Sequence, residues 1–184
     1  RSCGQILGDV KMGLEVKSVG VVGLGYVGLP TSIAFYNANF RVRGVDVSTA
    51  VIDMLKEGAS PLVDQTEVLS IPEESERWSV GLNCDILEDC EVILITVPTP
   101  VTSNKEPDLS FVEAASRSVL RSIPRGRNRV VVLESTVYPG VTRNLLGGVC
   151  EEIGLVIGTD VTLAYCPERI DPGTDMGVGN IARI

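Results

Sequence analysis

The sequence predicts an α/β fold in which a doubly wound, mostly parallel sheet carries helices on both of its faces. Short runs rich in β-branched residues alternate along the chain with longer helical patterns, as in repeated strand–helix–strand units. Several of the runs, such as VILITV and RVVVLE, are continuously apolar. That pattern is typical of parallel strands covered on both faces. No linker interrupts the alternation, so we expect one domain.

The elements follow from the runs and from the residues that flank them. Ser110 and Glu113 have capping-box spacing and predict the start of a helix. Asn39 and Gly154 stand where helices should end, because both tolerate left-handed backbone. The predicted strands are 18–22, 40–45, 78–82, 92–97, 130–134 and 161–166. The predicted helices span about 27–38, 49–58, 65–70, 110–122 and 141–153.

Charge and composition exclude several functions. The chain has 16 Lys and Arg against 24 Asp and Glu, a net charge of −8. This disfavours a nucleic-acid partner, because phosphate contacts need clustered cations. The sequence has no histidine, so it cannot build a Ser-His-Asp triad or a His-ligated metal site. No apolar run approaches the roughly 20 residues that cross a bilayer, so we expect no membrane partner.

The cysteines indicate a reducing compartment. They are odd in number, scattered, and never spaced as a CxxC pair, so we expect no disulfide framework. The first residues, RSCGQILGDVKMG, lack the long apolar segment of a signal peptide. We therefore expect a cytoplasmic setting. The five positions are Cys3, Cys84, Cys90, Cys150 and Cys166.

A glycine-rich turn is the first functional signal. Gly23, Gly25 and Gly28 spell G-x-G-x-x-G between a predicted strand and a predicted helix. In a dinucleotide site the first glycine makes a tight turn, the second admits a pyrophosphate, and the third lets helix pack on strand. The helix start adds amide groups and a positive dipole end. A tight turn without function explains the pattern equally well on its own.

A second signal lies at the end of the next strand. Asp46 follows Gly28 by 18 residues. A carboxylate there accepts hydrogen bonds from an adenosine ribose and repels a 2′-phosphate. The alternative is a solvated carboxylate with no ligand. Strand, glycines, helix, strand and acid in this order predict a Rossmann-like fold that binds NAD rather than NADP.

Seven segments in order then resemble one known family. They are GVVGLGYVGLPTSIAF, GVDVS, SPLVDQTEVL, VPTP, PDLSFVEAA, ESTVYPGVT and YCPERIDPG. Together they resemble the N-terminal half of the UDP-glucose/GDP-mannose dehydrogenase family. The resemblance implies an N-terminal extension at 1–16 and an NAD-binding Rossmann domain at 17–184. It also implies that the family's central helix and C-terminal sugar-binding domain are absent from this chain.

The resemblance implies a reaction and its cofactor. Members of the family oxidise the C6 alcohol of a nucleotide sugar to a carboxylate and reduce two NAD molecules. The scheme passes through an aldehyde held by a cysteine thiol and a thioester that is hydrolysed. The family's nucleophilic Cys, with the Lys and Asn that stabilise the oxyanion, lies in a later portion. Cys166 is expected to be a packing residue, so this chain alone should bind NAD and turn nothing over.

The resemblance also assigns individual positions. Thr136 matches a threonine near the nicotinamide that helps position a catalytic water, although a strand-end helix cap is the alternative. Glu168 matches a glutamate assigned to water activation or thioester hydrolysis, and a surface ion pair is its alternative. Thr99 matches a threonine beside the cofactor, or is a hydroxyl in a Pro-bounded turn. The cofactor-binding positions are Gly23, Gly25, Tyr26, Val27, Gly28, Asp46, Thr99 and Thr136.

Two departures concern specificity. Pro172 stands where the UDP-glucose branch has a second acid, and the PERIDPG pattern resembles the branch acting on UDP-N-acetylglucosamine or UDP-N-acetylmannosamine. Val51 stands where a charged residue often supports the ribose acid. The implied partners are NAD and a UDP-sugar, with the full-length enzyme a homodimer or larger. The competing interpretations are a UDP-glucose or GDP-mannose 6-dehydrogenase, a 3-hydroxyacid or 6-phosphogluconate-type dehydrogenase, and a non-catalytic NAD-sensing or interaction domain.

Overall fold

The described strands form one sheet in which all neighbours run parallel. The computed structural model describes residues 16–62 and 69–167. Over these residues the strand order is β3-β2-β1-β4-β5-β6. The chain therefore winds outward in both directions from the β1–β4 pair, which confirms the predicted fold class. The strands are β1 (Ser18–Val22), β2 (Arg41–Val45), β3 (Trp78–Gly81), β4 (Val92–Ile95), β5 (Arg129–Leu133) and β6 (Val161–Tyr165).

The helices lie between the strands, as the sequence predicts. A 3₁₀ turn at Cys84–Leu87 and a π-helical turn at Thr142–Leu146 add to them. The π-helical turn occupies the first part of the helix predicted at 141–153, so its α-helical part is shorter than expected. The helix predicted at 65–70 lies largely outside the described residues, and residues 69 and 70 are not helical. The α-helices are α1 (Gly28–Asn37), α2 (Thr49–Lys56), α3 (Ser110–Ser122) and α4 (Gly147–Ile153).

Two of the three predicted helix-end signals are confirmed. Asn39 has φ 69° and Gly154 has φ 73°, both left-handed. The helix begins at Ser110, as predicted, but the capping box is wrong, because the residue before the helix is Leu109 and its side chain makes no capping hydrogen bond. Instead, the Asp108 Oδ1 atom accepts a hydrogen bond from the Ser110 amide at 2.9 Å. Asp108 forms this bond because an aspartate readily turns back on an amide two residues ahead.

The core divides into two clusters, one on each face of the sheet. Leu94 of β4 packs in the cluster that contains Ile33 of α1 and residues of α2. Its neighbours Ile93 and Ile95 pack in the other cluster, with Val119 of α3 and residues of α4. Successive strand residues point to opposite faces, so a strand buried on both faces must be apolar throughout. This explains the continuous run VILI in β4.

A buried carboxylate ties the start of β6 to two loops. The Asp160 side chain accepts the Gly126 amide at 2.6 Å and the Val156 amide at 2.8 Å. The residue is only 6% exposed. These two hydrogen bonds to the charged form lower the pKa of Asp160. The folded state therefore stabilises the ionised form of Asp160 relative to the unfolded chain.

We expect Asp160→Asn to destabilise the fold at neutral pH. Both carboxylate oxygens accept a backbone amide, whereas asparagine replaces one of them with an NH2 group that cannot accept. The folded pKa lies below the unfolded value, so the stabilisation is complete above about pH 4 and disappears as pH falls through the folded pKa. The difference in unfolding free energy should thus be constant at neutral pH and shrink in acid. Urea unfolding across pH measures it, with the exposed Asp89→Asn as control. A difference that does not change with pH would contradict the assignment.

Candidate functional site

A cavity of about 740 Å³ opens at the carboxyl ends of the strands. Its walls come from the segments that follow β1, β2, β3, β4 and β5, and from one face of α3. The cavity includes the place where β1 and β4 lie side by side while their connections lead in opposite directions. Open parallel sheets bind ligands at this point. The predicted site residues in its wall are Gly23, Gly25, Tyr26, Val27, Asp46, Thr99 and Thr136.

The three glycines have three different environments. Gly23 adopts φ +94°, which L side chains rarely reach. Gly25 is exposed, and a Cβ built on it would meet no atom within 4 Å. A Cβ on Gly28 would overlap the Gly23 carbonyl oxygen and lie 2.5 Å from the Thr96 Oγ atom. The turn is thus left-handed first, open toward the cavity second, and tightly packed third, as a dinucleotide loop requires.

Asp46 is held in the cavity wall by backbone amides. Its Oδ2 atom accepts the Leu24 amide at 2.8 Å, and its Oδ1 atom accepts the Ser48 amide at 2.9 Å. The carboxylate of the second strand is therefore fastened directly to the glycine turn of the first. The sequence placed Asp46 near the turn but gave no indication of this bond.

Apolar side chains exposed to solvent line part of the cavity. Val47 is 92% exposed, and Leu82 and Phe111 are roughly half exposed. All three line the cavity, and such surfaces suit a flat aromatic ring. Leu82, which follows β3, and Phe111, the second residue of α3, were not predicted because neither carries a motif.

Polar side chains line another part of the cavity. Thr99 and Thr136 both line it, as predicted, together with Glu134 and Ser135 at the end of β5. Glu134 is 2% exposed, and the Ser135 Oγ atom donates to the Val97 carbonyl at 2.6 Å. The EST segment was the available signal for these two missed residues. Glu168 lies outside the described residues.

Three of the four described thiols, those of Cys84, Cys90 and Cys150, are poorly suited to nucleophilic attack. Burial, reinforced by the charge of Asp85, raises the pKa of Cys84 to about 11. Burial raises the pKa of Cys90 to about 12 and also raises that of Cys150. Thiolates are the reactive form, so these residues pack as neutral groups. Over residues 16–62 and 69–167, no cluster of three His, Cys, Asp or Glu is placed to bind a metal ion.

No helix in the described ranges has both the length and the apolar character needed to cross a membrane.

The cavity fits an anionic nucleotide. Tyr26 and Val27 bring the amino end of α1 to the cavity wall, where amide groups and the helix dipole favour phosphate. Gly25 leaves open space beside the turn, and the Asp46 carboxylate lies in the cavity wall. The fold and the cavity define a dinucleotide-binding domain.

Comparison with known proteins gives the family. The model of the UDP-glucose/GDP-mannose dehydrogenase family, NAD binding domain, matches residues 17–179. The chain belongs to this family, and its cofactor is NAD.

Relatives and solved structures agree with this membership. UDP-N-acetyl-D-glucosamine 6-dehydrogenase of Pseudomonas aeruginosa is 39% identical over 158 residues, 84% of this chain and 36% of the relative. UDP-N-acetyl-D-mannosamine dehydrogenase of Pyrococcus horikoshii is 35% identical over 161 residues, 84% of this chain and 37% of the relative. The native structure of UDP-N-acetyl-mannosamine dehydrogenase from Staphylococcus aureus has a TM-score of 0.73 at 35% identity, covering 85% of this chain and 38% of that one. The chain thus spans less than two-fifths of the length of each of these proteins.

Proposed function

We propose that this chain is the NAD-binding domain of a nucleotide-sugar 6-dehydrogenase. The reaction is oxidation of the C6 hydroxyl of a UDP-N-acetylhexosamine to a carboxylate, with reduction of two NAD molecules. The observation that carries the proposal is the switch-point cavity in which the glycine turn and Asp46 meet. The names of the two relatives and the PERIDPG segment support an N-acetyl sugar. The resulting uronate retains its UDP group.

The residues around the cavity have distinct roles in this proposal. The turn from Gly23 to Gly28, with Tyr26 and Val27, holds the pyrophosphate on backbone amides. Asp46 accepts hydrogen bonds from the adenosine ribose and repels the 2′-phosphate of NADP. When bound, NAD supplies the hydride acceptor for both oxidation steps. The exposed apolar side chains of the cavity wall fit the adenine.

Thr99 and Thr136 belong to the nicotinamide side of the proposed site. A threonine hydroxyl there can orient a water or a sugar hydroxyl by hydrogen bonding. Glu168 is proposed to activate water for hydrolysis of the thioester. Its pKa would rise if bound substrate excluded solvent around it.

The proposal includes an organisation for the whole protein. The domain spans 17–184 after an extension at 1–16, and the UDP-sugar binds partly to a segment beyond this chain. The full-length enzyme is proposed to be a homodimer or larger and to work in the cytoplasm. No nucleic acid or membrane takes part.

The decisive experiment counts NADH formed per sugar consumed. We expect this chain alone to bind NAD and form no NADH, because the proposed nucleophile lies outside it. A longer polypeptide containing the chain should form two NADH per molecule of UDP-N-acetylglucosamine or UDP-N-acetylmannosamine. NADH formation by the chain alone would contradict the proposal that the nucleophile lies outside it. Two NADH from UDP-glucose alone would contradict the sugar assignment. NAD binding without any turnover would favour a sensing domain.

A further inference from the structure

The peptide unit between Gly23 and Leu24 is held at both ends by side chains. Thr96 directly follows β4 and is 9% exposed. Its Oγ atom lies 2.7 Å from the Gly23 carbonyl oxygen and 3.0 Å from that of Val22. The Val22 carbonyl already accepts the Thr96 amide at 2.8 Å. We therefore assign the hydroxyl proton to the shorter contact, with Gly23.

Asp46 holds the other end of the same peptide unit. The Leu24 amide donates to the Asp46 Oδ2 atom at 2.8 Å. Because a peptide unit is planar, its carbonyl and its N–H cannot rotate independently. β2 and β4 are the two strands that pair with β1. One plane in the glycine turn is thus fastened from both neighbouring strands.

We propose that Thr96 is a positioning residue for NAD. By donating to the Gly23 carbonyl, it fixes the plane whose N–H holds Asp46, so that the pyrophosphate turn and the ribose acid are oriented together. Gly23 needs such a restraint, because glycine at φ +94° has no side chain to limit rotation. Gly25, which follows Leu24, is the position open toward the cavity. The inference rests on NAD binding here, but not on the identity of the sugar.

A matched pair of substitutions isolates the hydroxyl. Thr31 of α1 is 1% exposed, and its hydroxyl has no hydrogen-bond partner among the described residues. Thr31→Val and Thr96→Val therefore make the same isosteric change, but only Thr96→Val removes a hydrogen bond. We expect Thr96→Val to weaken NAD binding about tenfold, the size of one lost buried hydrogen bond. Thr31→Val should stay within about twofold of wild type by the same reasoning. Calorimetric titration of the chain with NAD gives both values.

A second pair of substitutions tests the hydroxyl even if Thr96→Val fails to fold. Thr96→Ser and Thr96→Ala both lose the methyl group and differ only in the hydroxyl. We expect the serine variant to retain NAD affinity and the alanine variant to lose it. Equal affinities in this pair would overturn the proposal.

A double-mutant cycle separates positioning from a merely structural role. If Thr96 acts through the peptide plane on Asp46, Thr96→Val should reduce NAD affinity much less in an Asp46→Ala background than in wild type. Additive losses would overturn the proposal. Hydrogen exchange of the Leu24 amide in the NAD-free chain should accelerate in Thr96→Val and not in Thr31→Val. Unchanged Leu24 exchange in Thr96→Val would also overturn it.

These outcomes are independent of the proposed reaction. Failure to oxidise any UDP-sugar would leave the NAD affinities and the amide exchange as they are. Conversely, a wild-type-like Thr96→Val would remove this inference and leave the sugar assignment intact.

Discussion

Gly28→Ala should lower the free energy of unfolding by about 3 kcal/mol or more, toward the upper end for an overpacked site. The new Cβ would overlap the Gly23 carbonyl oxygen and press on the Thr96 hydroxyl. The Gly23 oxygen is a backbone atom, so the overlap can be removed only if α1 moves away from the carboxyl end of β1. For a domain of this size the melting temperature should fall by roughly 10 °C. Thermal and urea unfolding of the NAD-free chain measure the loss.

Two other glycines provide the controls. Gly25→Ala should leave stability near that of wild type, because its Cβ meets nothing within 4 Å. It should instead weaken NAD binding, since the methyl group stands where the backbone must approach the pyrophosphate. Gly148 of α4 is exposed and equally unobstructed, so Gly148→Ala should be neutral or slightly stabilising. A Gly28→Ala protein as stable as wild type would contradict the tight packing, and full NAD affinity in Gly25→Ala would contradict the loop assignment.

Asp46→Asn should weaken NAD binding about tenfold or more and reduce the preference for NAD over NADP by a similar factor. The carboxylate accepts two backbone amides, and in the proposed site it also accepts the adenosine ribose. An amide side chain cannot serve all of these donors, because it offers one oxygen and one donor nitrogen. Removing the negative charge also removes the repulsion of a 2′-phosphate. Titration with NAD and with NADP measures both effects.

The control for charge is Asp53→Asn on α2. Asp53 is exposed and does not line the cavity, so the substitution changes net charge equally without touching the site. We expect both affinities to stay within about twofold of wild type, since single exposed charges are well screened. If the two variants behave alike, Asp46 does not discriminate between the cofactors.

The sequence by itself predicted the sheet class and the glycine turn, because both depend on local patterns. Continuous apolar runs identify strands buried on both faces, and each described strand begins and ends within two residues of its predicted bounds. Asn39 and Gly154 were identified correctly because asparagine and glycine tolerate left-handed backbone better than other residues do. The prediction failed where two local signals competed, since Asp108 and not a Ser110 box satisfies the first amide of α3.

Only the tertiary structure showed what holds the glycine turn in place. The hydroxyl of Thr96 reaches a carbonyl 73 residues earlier, and Asp46 reaches an amide 22 residues earlier. Leu82 and Phe111, which are separated in sequence, line the same cavity. These contacts depend on strand order and on which residues stand at the same edge of the sheet. A threonine in an apolar run carries no local sign of its partner, because the partner is chosen by the register between strands.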